Sequence, residues 1–414
     1  MKLKRNIQLV FIFLLCTHCV TSAVAQKSSS GFSEDARWVG TWASSPYLAI
    51  AENVPPPPGL TDSTLRQVIR ASVGGARIRV RLSNAVGRTP LVVKAAHVAL
   101  SAGGGAITPQ SDKPLTFNGK GSAVIPAGAL LISDSLDFRL APLTDVAITL
   151  AFGEVPEAVT SHPGSRTTSY LQKGETVDAA AMPDGVKADR WYVINGVDVL
   201  DAGACCAVVA LGDSITDGRG STTNGNDRWT DQLARRLQGD KKTRNVGVLN
   251  HGIGGNRLLH DGLGPNALAR FDRDVLAQTA VRWLIILEGV NDLGTRIRAR
   301  ERKESWATAD DIIAAYEQMI TRAHAKGIRV YGATILPFGG SFYFAPDIEA
   351  DRQTINKWIR TSGKFDAVID FDAALRDPKD PARLLPTADT GDHLHPNALG
   401  YKMMGDAIDL RLFR

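Results

Sequence analysis

The 414-residue chain is poor in cysteine, with only four, and it has no basic run long enough to form a nucleic-acid tail. Cys16 and Cys19 lie near the amino terminus, and Cys205 and Cys206 are adjacent. This excludes a disulfide-stapled scaffold, and no metal-ligand spacing is present. The neighbouring pair reads as two buried thiols at the start of a strand; the alternative is a strained vicinal bridge. Charged residues make up 22% of the chain, and 48 basic against 43 acidic side chains leave a formal charge of +5. The balance argues against nucleic acid as a partner. With 44% hydrophobic residues, the chain has ample material for packed cores and is not disordered over most of its length.

Apolar runs of membrane-spanning length are also missing. The longest, 7–16, follows Lys2, Lys4 and Arg5 and is nearer ten residues than the ~20 that cross a bilayer. Ala23-Val24-Ala25 completes the pattern of a cleaved secretion signal over 1–25. Leu15 and His18 precede the cysteines where a lipoprotein site needs small residues. The expectation is an exported protein, secreted or periplasmic, without stable membrane insertion once the signal is removed. Its oligomeric state is left open.

A Ser-, Gly- and charge-rich leader spans 26–37. From 38 to 201 apolar residues recur in steps of two: Ile78, Val80 and Leu82 alternate with arginines, and Val146, Ile148 and Leu150 repeat the pattern. Gly- and Pro-rich breaks divide these runs, and no amphipathic helix stands out. The expectation is an antiparallel β-sandwich or jelly-roll-like domain. From 203 to 414, apolar runs at 207–211, 246–250, 283–287, 330–335 and 367–371 alternate with helical patterns. Trp229/Leu233/Leu237, Ile312/Tyr316/Ile320 and Leu399/Met403/Ala407 are spaced by four. Such alternation predicts a layered α/β domain around a parallel sheet, with its active groups at the carboxyl ends of the strands.

Four short segments stand at those ends. Gly212-Asp213-Ser214 offers a serine hydroxyl at the mouth of the first strand, or an ordinary helix cap. Asn250 to Asn256 holds three glycines, which permit close backbone approach or merely a flexible turn. Asn291, in Gly289-Val290-Asn291-Asp292, can aim an amide at developing negative charge or cap the next segment. Asp392 and His395 are three apart on a turn ended by Pro396, a spacing that lets the carboxylate fix an imidazole as general base. His393 reads as a structural or solvated neighbour, Asp213 as a brace for the turn, Asp217 as a local cap and Trp229 as core. Together the segments supply a nucleophile, a base, its orienting carboxylate and oxyanion donors.

In these four blocks, in this order, the second half resembles the SGNH (GDSL-type) hydrolases, serine esterases of flavodoxin-like three-layer α/β/α fold. The resemblance implies Ser214 as nucleophile and Asp392 and His395 as its acid and base partners. It also implies an oxyanion hole formed by the Ser214 and Gly255 backbone and the Asn291 side chain, with no metal or cofactor. The opening Trp38-Val39-Gly40-Thr41-Trp42 resembles, more loosely, the amino-terminal β-domain of a secreted subgroup, several of whose members are similar to carbohydrate deacetylases or broad esterases. The expected substrate is a short acyl ester, an acetylated carbohydrate above all. A lipase-type esterase, an acyltransferase and a non-catalytic glycan-binding protein are the rivals. Phe338, Phe342 and Tyr343, in a Gly-hinged loop after the fourth strand, are candidates for the substrate wall or for simple packing. Trp38, Trp42 and Tyr47 are further candidates from the first half, with Trp38 and Trp42 reading equally well as core.

Overall fold

A computed structural model of the chain describes residues 37–201 and 203–414. The expected signal and all but the last residue of the leader lie outside the described residues. Before Cys206 every strand pairing is antiparallel. One sheet orders β1 (Arg37–Ala43), β8 (Ile194–Asp201), β3 (Gly75–Ser83) and β5 (Leu136–Leu140). A second is built around β7 (Ser169–Lys173), β2 (Ser63–Arg70), β6 (Asp145–Phe152) and β4 (Leu91–Gly103). Ile78, Val80 and Leu82 are buried on one face of β3, as the period of two requires. The described helical turns of this half are three residues long.

From Cys206 onward the pairings of the five long strands become parallel. The sheet order is β10 (Val246–Gly252), β9 (Cys206–Gly212), β11 (Val281–Leu287), β12 (Arg329–Ala333), β13 (Ala367–Ile369). That 2-1-3-4-5 order is shared by flavodoxin-like sheets and places a switch point between β9 and β11. β12 stops short of the expected 335 because Thr334 Oγ1 turns to Asp370 and the Ile335 N–H to Asn356. β13 ends before Asp370, whose side chain caps the following helix by accepting from the Ala373 N–H. The helices Trp229–Gly239 and Ala309–His324 bury the stripes expected of them. In Ala398–Ala407 the stripe is displaced: Tyr401 and Met404 are buried, whereas Leu399 is exposed.

Cys205 and Cys206 are joined as a vicinal disulfide, which corrects the expectation of two separate thiols. Cys206 is buried at the start of β9, as expected.

The two halves share a contiguous hydrophobic core. β1 packs on edge strand β10, where a Cβ on Gly247 would collide with the Gly40 carbonyl. Ser72 Oγ receives the Val248 N–H at 2.8 Å, and the Gly40 N–H donates to the Thr279 carbonyl at 3.2 Å. The first half thereby covers the exposed edge of the parallel sheet.

Candidate active site

β9 delivers the chain into a tight turn. Asp213 caps the four-residue helix α1 (Ser214–Asp217) by accepting the Ile215 N–H at 2.8 Å, so it braces the turn as its sequence context suggests. Gly218, at φ +96°, ends the helix in a conformation suited to glycine. Ser214 Oγ stands 2.9 Å from His395 Nε2. His395 Nδ1 lies 2.6 Å from Asp392 Oδ2, and Asp392 Oδ1 accepts the His395 N–H at 2.9 Å. The expected imidazole therefore meets the expected hydroxyl across 181 residues. His393 bonds Asp389 instead, with a half-exposed ring.

Burial disfavours the Asp392 carboxylate, but hydrogen bonds from the His395 ring and backbone outweigh it and hold the carboxyl below its usual range. Burial pushes the His395 imidazole below its ordinary value, the bond to Asp392 pulls it back, and Arg219 and Arg166 press it down again. An ionised Asp392 accepts from Nδ1–H and leaves Nε2 to accept from the serine.

Three backbone N–H groups at this edge, on Ser214, Gly254 and Gly255, have no hydrogen-bond acceptor among the described residues. Gly254 and Gly255 are the central residues of a turn closed by the Asn256 N–H on the Ile253 carbonyl, and Gly255 sits at φ +71°. Asn291 lies in a helical turn, Val290–Gly294, that begins after Gly289 at φ +105°. Its Nδ2 donates to the Asn256 carbonyl at 2.9 Å, which leaves one N–H of the amide. Tyr343 Oη donates to Asn291 Oδ1 at 3.0 Å and so holds the amide in orientation.

Beneath the serine lies a buried charge network that the sequence did not reveal. Arg270, fully buried, donates to the Gly212 and His251 carbonyls at 3.0 and 2.7 Å, and to Asn256 Oδ1 at 2.8 and 3.0 Å. It also donates to Ser45 Oγ from the first half, and it faces Asp274 and Glu288. Ser45 Oγ also hydrogen-bonds His251 Nδ1 at 3.0 Å, and burial holds the His251 ring down at about 3, in the neutral form. Burial also raises Asp213 and Glu288, which repel each other as anions, and raises Asp292 to about 6. One guanidinium thus ties the ends of three strands to the first half. Its sequence context, Ala-Leu-Ala-Arg-Phe, carries no motif signal.

Asp217 is not the expected cap. It is buried, and its Oδ1 meets His162 Nε2 of the first half at 2.8 Å, while His162 Nδ1 donates to the Ser45 carbonyl at 2.9 Å. Gly164 lies so close to Asp217 Oδ2 that a Cβ there would overlap it.

Ser214 and His395 open into a cleft of about 290 Å³, walled by Tyr47 and Arg166 from the first half and by Arg219, Phe342 and Tyr343. Phe342 and Tyr343 stand where expected. Phe338 does not: it is fully buried, because the Gly339 N–H is held on the Ala382 carbonyl and turns the preceding side chain inward. Trp42 belongs to the core, edge-on to Trp191 at 4.8 Å, and Trp38 lies beneath Arg79. Trp229 is fully buried, as expected. No group of three or more His, Cys, Asp or Glu among the described residues is arranged to hold a metal ion, and no described helix is long and apolar enough to cross a membrane.

Residues 210–403 match a family described as GDSL-like lipase/acylhydrolase. No curated protein matches the chain. Among solved structures, a catalytic mutant of an acetylxylan esterase from Geobacillus stearothermophilus is 20% identical, with 50% of this chain and 94% of that one covered at a TM-score of 0.39. An α/β hydrolase from the metagenome of Lake Arreo, Spain, is 16% identical over 49% of this chain and 93% of its own, at a TM-score of 0.39. An acetyl xylan esterase is 20% identical over 49% and 96%, at 0.38.

Proposed function

We propose, from the match of residues 210–403 to the GDSL-like lipase/acylhydrolase family, that the chain is an exported serine esterase that removes short acyl groups, acetyl above all, from carbohydrates. The observation that carries the reading is the unbroken hydrogen-bonded line from Ser214 Oγ through His395 to Asp392, facing an open cleft.

In this reading Ser214 Oγ attacks the ester carbonyl carbon while its proton passes to His395 Nε2. Asp392 stabilises the resulting imidazolium. The carbonyl oxygen becomes an oxyanion beside the Ser214 and Gly255 N–H groups and the remaining N–H of Asn291. Collapse breaks the bond to the alcohol oxygen, which leaves with the proton from His395. Water then repeats the sequence on the acyl-enzyme: His395 takes its proton, hydroxide adds, and Ser214 leaves with that proton as the carboxylic acid is released.

Support for a short acyl group on a polar carrier comes from the cleft, where Arg166, Arg219 and Glu52 stand among its walls. A long acyl chain would bury these charged groups against hydrocarbon. Export rests on the charged and apolar pattern of residues 1–25.

The test is covalent labelling by a fluorophosphonate together with 4-nitrophenyl esters of increasing chain length. The wild-type chain is expected to label at Ser214 and to prefer acetate. Ser214→Ala is expected to lose labelling and roughly 10⁴-fold or more in turnover while keeping its fold. A folded wild-type protein that neither labels nor hydrolyses would overturn the reading in favour of a binding protein, and a preference for long chains would make it a lipase.

A further inference from the structure

We propose that the acyl ester is carried on an anionic saccharide whose carboxylates are received by arginines around and beyond the catalytic cleft. The inference rests on the esterase reading above and adds the chemical class of the carrier.

Arg166 and Arg219 line the same cleft as Ser214 and His395, and neither has a carboxylate partner among the described residues. Arg166 is presented from a shaped loop. It adopts φ +50°, its carbonyl accepts the Asn224 N–H at 2.8 Å, and its half-buried side chain leaves Nε with no hydrogen-bond partner. A half-buried guanidinium that lines the cleft without a carboxylate partner is suited to donate to an anion entering it.

The cleft does not end at the oxyanion turn. Gly255, Leu263 and Tyr343 also wall a second, larger groove of about 780 Å³. Arg257, Arg298 and Arg302 line it, again without carboxylate partners; Arg257 donates only to the Asp261 backbone carbonyl. The carboxylates on these two walls are mostly engaged. Asp217 holds His162, Asp261 accepts from Asn266, and Asp292 accepts the Leu258 and Leu259 N–H groups. Glu52 and Glu304 remain, so five unpaired cations outnumber two unpaired anions. Elsewhere in the chain Arg70, Arg79, Arg352 and Arg360 each have a carboxylate partner.

The size and the aromatic lining of the groove favour a saccharide over a small acid. A single acylated ring occupies the catalytic cleft, and the adjoining volume accommodates further rings. Trp306 stands in the wall of the larger groove, 39% exposed, with Arg300 5.5 Å from its ring centre. An indole half-open to solvent beside cations suits the apolar face of a sugar that bears a carboxylate at its edge.

The test uses the full chain and three acetylated substrates: an oligouronate as the free acid, the same oligouronate as its neutral methyl ester, and an acetylated glycerophosphate. At low salt, kcat/KM for the free acid is expected to exceed that for the methyl ester about tenfold or more, and the ratio is expected to shrink at about 0.5 M salt. Arg166→Gln and Arg219→Gln are each expected to bring the ratio toward one, chiefly through KM, in proteins with an unchanged thermal midpoint. Equal rates on acid and methyl ester, by a protein that still labels at Ser214 and hydrolyses 4-nitrophenyl acetate, would overturn this inference and leave the esterase reading intact. A preference for the phosphate-bearing ester would overturn the assignment to carboxylates. Failure to label and to turn over any ester would defeat the esterase reading, and this inference with it.

Discussion

The hydrogen bond from Tyr343 Oη to Asn291 Oδ1, at 3.0 Å, gives a quantitative test of how the oxyanion site is held. Asn291 has two amide hydrogens. One is spent on the Asn256 carbonyl, so a donor for the developing charge remains only while the amide plane keeps its present orientation. Tyr343 fixes that plane from its oxygen end. Removing an oxyanion donor costs about 3 kcal/mol, so Asn291→Ala is expected to lower kcat by roughly 10²–10³-fold. Removing the tyrosine hydroxyl takes away one neutral hydrogen bond, worth about 1 kcal/mol, and Tyr343→Phe is expected to slow kcat about fivefold with a smaller change in KM. Because the tyrosine acts through the asparagine, the two losses should not add. The double variant is expected to be no slower than Asn291→Ala alone. The assay is kcat on 4-nitrophenyl acetate for the four proteins of the cycle, with thermal unfolding to confirm the fold. Full additivity of the two losses would show that Tyr343 acts on the substrate directly and would refute the positioning argument.

Burial lowers the His395 pKa from 6.5, so the neutral base should persist to lower pH, and kcat/KM should fall only below about pH 6.5 on acidification. An acid limb above pH 7 would contradict this, and Arg219→Gln, which removes a like charge, should move the limb upward. Arg270→Met should lower the thermal midpoint by several degrees, because it leaves the Gly212 and His251 carbonyls and the Asp274 and Glu288 carboxyls without their buried cation, a loss of about 3–5 kcal/mol; an unchanged midpoint would mean the network is not structural. Gly164→Ala should displace Asp217 from His162 and cost about 1–3 kcal/mol in stability, read by denaturant unfolding, whereas a neutral result would show that the contact between the halves yields cheaply. Incubation with a chelator should leave ester hydrolysis intact, since the proposed steps use only side chains and water.

The groups proposed to perform chemistry were legible because each sits in a short local pattern. Asp392 and His395 meet across three residues, and Ser214 follows a strand whose apolar run identifies it. The alternation of Ile78, Val80 and Leu82 with arginines likewise followed from the strand period. Where the reading failed, a distant partner decided. Phe338 looked like a cleft residue because its neighbours are aromatic and glycine-hinged, yet a single backbone bond to Ala382, 43 residues on, directs it into the core. Asp217 had the sequence position of a cap, but its partner is an imidazole 55 residues earlier in another sheet.

The same distinction separates the reaction from its control. The residues assigned to bond making and breaking all lie after residue 213 and within the recognised blocks. The groups that shape their surroundings come from both halves, and several belong to no block. Ser45 bonds both Arg270 and His251 under the serine, His162 holds the last residue of α1, and Tyr47 and Arg166 close one side of the cleft. Since Ser45 and His162 reach the floor of the site and not only its rim, the first half is not a detachable binding module appended to a finished catalyst. Its removal would leave the buried Asp217 without His162 and take the Ser45 hydroxyl from Arg270, directly behind Ser214. An uncompensated charge at that depth costs several kcal/mol, comparable to the stabilisation of an oxyanion by a single donor. The antiparallel half therefore supplies both the floor of the proposed site, through Ser45 and His162, and part of its cleft wall, through Tyr47 and Arg166.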